Sequence, residues 1–170
     1  MDIIKKFFTI LIVSISFTNF SYSQDQIVYL DLDKVVRDTK AGQSILEKLE
    51  KSKNIALEKF EKKEKDLKKI EDEIKKQKNI ISEEELKKKL VEFRKQVTSF
   101  RQNRQKVIND LNKKRNIEFD EFFKKITPII ESYVAEKNID ILLDKKNIFV
   151  ASKKKNITLE IINIIDSKIK

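Results

Sequence analysis

Carboxylates and amines are the reactive inventory of this chain: its 170 residues include 28 Asp and Glu and 38 Lys and Arg, but no His and no Cys. Nucleophilic and metal chemistry at neutral pH draws heavily on the two missing types. The single glycine, Gly42, cannot build a P-loop or a G-x-G-x-x-G turn. The carboxylates stand among lysines at helical spacing, which is the pattern of a solvated ion-pair face. The sequence therefore points to binding without catalysis; neither an enzyme nor a cofactor is expected.

Two side-chain sets could do that binding. Phe60, Phe93, Phe100, Phe119, Phe122 and Phe123 are six of the seven phenylalanines beyond residue 23. Packing between helices accounts for all but Phe123, which falls off the apolar stripe and suits an interface with the rest of the fold. The sharper alternative is that Phe60, Phe93 and Phe100 show apolar surface to a partner. The second set is a basic run from Lys87 to Arg115, with eleven cations against Glu92 and Asp110, a local charge of +9. Lys87, Lys88, Lys89, Arg94, Lys95, Arg101 and Arg104 are its candidate contact residues. The preceding stretch, Glu47 to Lys78, is more balanced, with 12 Lys against 9 acids.

The elements that must position these residues are helical. Leu46, Leu49, Lys53, Ala56, Phe60, Lys63, Leu67, Ile70, Ile74, Gln77 and Ile81 follow alternating steps of three and four. That is a heptad seam, made leaky by Lys53, Lys63 and Gln77. It should stop near Asn79, a candidate left-handed cap. Ser82 and Glu85 form a capping box that restarts the chain as a helix, with Ile81 and Leu86 at the staple positions. So short a connection makes the two helices antiparallel neighbours. The return helix is predicted over 83–137, with a stutter near Leu111 and Pro128 as a kink.

Both ends differ from this middle. Lys5 and Lys6, the apolar run Phe7 to Phe20 and the small residues Ser21 and Ser23 have the order of a signal peptide, with cleavage expected before Gln24. The apolar run is too short to span a bilayer, which takes about 20 residues. Export then makes nucleic acid an improbable partner despite the charge of +10. "QIVYLDLDKVV" (Gln26 to Val36) has the pattern of a lone strand, which cannot satisfy its own backbone. "NIDILLD" and "NIFVAS" near the other end suggest a hairpin that would supply its partners. A last helix follows, with Thr158 as cap and Leu159, Ile162, Ile165 and Ile169 as its apolar face.

The expected fold class is α+β: a small β-sheet body, built from both ends of the chain, carrying a long antiparallel helical-hairpin arm. Residues 24–170 make one domain, with 24–41 and 123–170 as body and 42–122 as arm, its tip near 79–82. About three strands form a marginal core alone, so association through the body is expected.

This order of parts, and in particular "IVYLDLDKV" leading to "TKAGQ" and the finish "NIDILLD…ITLEII", resembles the Skp/OmpH-like family of periplasmic outer-membrane-protein chaperones. The chain departs from the family pattern in having no Pro before Ala41 and no Gly in the turn from Asp144 to Asn147. The resemblance implies a homotrimer whose arms enclose unfolded outer-membrane proteins without ATP. It carries no catalytic residues. Two other readings stay open: a structural coiled-coil spacer of the envelope, and a basic binder of anionic membrane surface or lipopolysaccharide.

Overall fold

The computed structural model describes residues 25–169. The predicted signal peptide and its cleavage site lie outside the described residues. Strand β1 is Ile27–Leu30, shorter than the predicted run to Val36. Asp31 ends it, because its side chain accepts from the Lys34 N–H at 2.9 Å and caps helix α1 (Leu32–Asp38). Val35, β-branched and read as strand, is fully buried in that helix. Core burial outweighs its β preference.

Thr39 joins α1 to helix α2 (Lys40–Gln77). Its buried hydroxyl donates to the Val35 carbonyl at 2.8 Å and accepts from the Gly42 N–H at 3.2 Å. The turn brings α1 so close to α2 that a Cβ on Gly42 would lie 1.9 Å from the Val36 carbonyl oxygen. The chain's one glycine is needed for that approach.

Helix α2 has 38 residues and helix α3 (Glu83–Glu136) has 54, so they extend about 57 and 81 Å at 1.5 Å per residue. Between them the Gln77 carbonyl accepts from Ile80 and Ile81 N–H, and Ser82 Oγ caps α3 through Glu85 N–H at 3.2 Å. Lys78 stays right-handed and Asn79 does not take the predicted left-handed form. Among described residues Asn138, just past α3, is the one non-glycine at positive φ (51°). The Gln77 carbonyl already takes two donors, so the tip needs no left-handed residue.

Strand β2 (Ile141–Asp144) pairs with β1 in parallel, with Ile27 opposite Ile141 and Leu30 opposite Asp144. A parallel pair requires a long crossover, and here the whole helical hairpin is that crossover. The predicted β-hairpin over 138–152 is absent. Asp144 and Ser152 instead cap two 3-10 turns, Lys145–Asn147 and Lys153–Lys155. With no glycine between the two segments, nothing readily supplies the left-handed residues of a tight hairpin turn. The sheet therefore has two strands rather than about three, extended by a single bridge from Tyr29 to Asn156.

Helix α4 (Thr158–Lys168) closes the body. Thr158 is its first residue rather than its cap. Asn156 Oδ1 accepts from the Thr158 N–H at 3.0 Å, and Thr158 Oγ1 accepts from the Asp31 N–H at 2.9 Å. Ile162 and Ile165 are buried and Ile169 packs against the core, as predicted, but Leu159 is 65% exposed and Ile161 takes its place on the apolar face. Ile161, Ile162 and Ile165 form one core with Val28, Leu30, Val35, Phe122, Ile126, Ile139 and Ile157. Phe122, assigned to the helical seam by periodicity, belongs to this core. Phe123 packs beside it, ring edge to face at 5.5 Å.

Candidate functional site

The arm is where the candidate residues meet. Ala56, Leu67 and Ile74 are buried along the α2 seam, while Lys53 and Lys63 are exposed. Helices α2 and α3 run side by side from the capped tip, and Phe60 meets Phe100 edge to face at 6.2 Å. The Arg104 guanidinium lies 5.7 Å from the centre of the Phe60 ring and donates to Glu64 at 3.0 Å. It is the one ion pair between α2 and α3 among the described residues.

The cations divide by their partners. Lys88 pairs with Glu84 at 2.9 Å; Lys89 lies 3.8 Å from Glu85 and donates to Gln77 at 2.6 Å. Lys89 and Arg104 thus bridge the helices, and their first role is to hold the arm. Lys87, Arg94, Lys95 and Arg101 form no ion pair among the described residues, and their charge faces solvent.

The two flanks of the seam differ. One carries an open trough of about 680 Å³ beside Ile55, Ala56, Phe60, Phe100, Val107 and Leu111. Ser52, Gln96, Ser99 and Asn103 add hydroxyls and amides, and the charged rim is Lys59, Lys63, Lys95 and Glu92. The other flank carries a hollow of about 530 Å³ at Phe93, Val97 and Arg101, with charges of both signs around it. Phe100 reaches both. Sequence reasoning found the phenylalanines but missed the small and polar residues that keep the trough open. Their signal was Ala56, Ser99 and Asn103 at helical spacing around Phe60 and Phe100.

A second apolar surface lies on the body. Side chains alternate across a sheet, and the face away from the core shows Ile27 and Ile141, each more than two-fifths exposed, and Leu143. Beyond β2, Phe149 projects fully and Val150 largely into solvent. Ion pairs from Lys145 to Asp31 (2.7 Å) and Lys146 to Asp33 (2.8 Å) strap the first 3-10 turn to α1. The Lys145 ammonium, together with the Lys34 N–H, holds the Asp31 carboxyl below its ordinary pKa, and the same pair raises Lys145. No cluster of metal-ligating side chains occurs among the described residues, and no described helix is long and apolar enough to cross a membrane.

A family model described as outer membrane protein (OmpH-like) matches residues 26–165. Among solved structures, an OmpH-like protein from Caulobacter crescentus CB15, described as a candidate outer membrane chaperone, superposes with a TM-score of 0.76. The match covers 87% of this chain and 88% of that one at 12% identity, a likeness of fold. No curated protein matches the chain.

Proposed function

The chain belongs to the OmpH-like outer membrane protein family, and from that premise we propose that it is an ATP-independent periplasmic holdase for unfolded outer-membrane β-barrel proteins. It works by binding alone, with no catalytic step and no cofactor. The observation that carries this reading is the arm: a helical pair about 57 Å long whose seam is flanked by apolar hollows and unpaired cations. Such a surface offers many weak contacts and no built site for a small ligand. That suits a partner with no fixed structure, because apolar contacts are non-directional.

The holdase acts as a trimer assembled through the body. Ile27, Ile141 and Leu143 leave an apolar face on a two-stranded sheet that is too small to stand alone, and Phe149 and Val150, beyond the sheet, add exposed apolar side chains to the body. Copies of the chain joined there would project their arms around a shared space. A second reading, attachment to anionic lipid or lipopolysaccharide, is favoured by the solvent-facing Lys87, Arg94, Lys95 and Arg101.

The test is dilution of a urea-unfolded β-barrel protein into buffer with the purified chain and without ATP. Light scattering should stay low at one trimer per client. Aggregation as fast as in its absence overturns the holdase reading, and binding to anionic vesicles alone would favour the second.

A further inference from the structure

We infer that the trough on the Phe60–Phe100 flank of the arm is a groove for an extended polypeptide segment in which apolar side chains alternate with carboxylates. This rests on the holdase reading and specifies which face of the arm is used and what chemistry it selects.

The trough exists because the seam is interrupted. Lys53 and Lys63 turn outward, and Ala56 is too small to fill the space beside Ser99 and Asn103. Along α3 the lining runs from Glu92 to Leu111, about 28 Å, and along α2 from Ser52 to Lys63, about 16 Å. A strand-like chain at about 3.3 Å per residue places about five to eight residues there. Their alternate side chains would point to one side, onto Ile55, Phe60, Phe100 and Val107.

The lining chooses between a peptide and an acyl chain. Gln96, Ser99 and Asn103 make no side-chain hydrogen bond to another described residue, so their amides and hydroxyl are available to peptide N–H and C=O groups. An acyl chain would cover them without replacing their bonds to water, which is unfavourable. On the rim, Lys59, Lys63 and Lys95 face one carboxylate, Glu92. Carboxylates on the bound segment complement that excess, whereas lysines would meet like charge.

Because the chain has no cysteine, Ser99→Cys in the trough and Lys68→Cys on the other flank can each carry one polarity-sensitive fluorophore on the full-length mature protein. The probes are an eight-residue peptide alternating Phe and Asp, its Phe and Lys counterpart, vesicles of phosphatidylglycerol with phosphatidylethanolamine, and a urea-unfolded β-barrel protein. The Ser99 label should shift to the blue with the acidic peptide and the barrel protein, the Lys68 label much less. The lysine peptide should bind at least tenfold more weakly. Ser99→Trp, which fills the trough, should weaken the acidic peptide about tenfold with the helical circular dichroism unchanged. A silent Ser99 label in a protein that still keeps the barrel protein soluble overturns the groove and leaves the holdase reading intact. A Ser99 response to vesicles but not to peptide also overturns it, in favour of lipid. If the barrel protein aggregates regardless, the holdase reading fails, and the peptide titration still decides the groove.

Discussion

Gly42→Ala pits local propensity against tertiary packing, and the two give opposite signs. In a helix interior alanine is favoured over glycine by about 1 kcal/mol, so a reading of α2 alone expects a stabler protein. The fold places the new methyl 1.9 Å from the Val36 carbonyl oxygen, 2.8 Å from its carbon and 2.9 Å from Thr39 Oγ1. Carbon and oxygen in ordinary contact stay about 3.3 Å apart or more, so the α1 backbone must retreat by more than 1 Å. Overpacking of that kind costs about 1–3 kcal/mol, and losing the Thr39 cap adds about 1 kcal/mol. Set against the propensity gain, the net expectation is a loss of about 1–3 kcal/mol. Urea unfolding at fixed protein concentration is the assay. The described tyrosines, Tyr29 and Tyr133, both lie in the body, so tyrosine emission follows the body while far-ultraviolet circular dichroism is dominated by the long helices. The emission midpoint should fall by about 1 M, given slopes of about 1–3 kcal/mol per M. An unchanged or higher midpoint would refute the close approach of α1 and α2.

Three further outcomes are expected. Asp31→Asn keeps a capping oxygen but loses the charge pairing with Lys145. Because the Asp31 pKa is depressed in the fold, its contribution is complete above the unfolded value of about 3.9 and fades as pH falls through the lower folded value. Urea midpoints of wild type and variant should therefore differ at pH 7 and draw together as the pH is lowered through the acid range; a gap of constant size would show that the ion pair contributes nothing. Phe149→Asp with Val150→Asp should convert the proposed trimer to monomer by light scattering, since burying the two native side chains is worth about 3 kcal/mol or more per contact, and an unchanged mass would place the interface elsewhere. Reversal of Lys87, Arg94, Lys95 and Arg101 to Glu should slow capture of an unfolded barrel protein severalfold at low salt and flatten its salt dependence, with dissociation little altered; stopped-flow fluorescence at two ionic strengths measures this, and an unchanged association rate counts against steering by the basic run.

The helical hairpin was legible in the sequence because it is set by local physics. Alternating steps of three and four make the seam, and Ser82 with Glu85 marks the turn within a few residues. The joining of the two ends was legible from a negative argument: a strand at Ile27 with no neighbour for a hundred residues must be completed from far away. Where that strand ends was not. Asp31 stops it by capping α1, and Val35 turns helical because the core formed by Ile126, Ile161 and Ile165 takes it in. The segment at Phe149 carries strand-like residues, yet the chain's only glycine is spent at Gly42 and the turns around it close as 3-10. Phe122 also fits the seam by spacing, but α3 outruns α2 there and the body takes its ring. The trough is the clearest case. Composition names Phe60, Ala56 and Ser99, but only the mutual rotation of two helices decides whether the small residues face each other and leave a gap. That rotation is fixed by contacts forty residues apart, as between Arg104 and Glu64, and no local pattern encodes it.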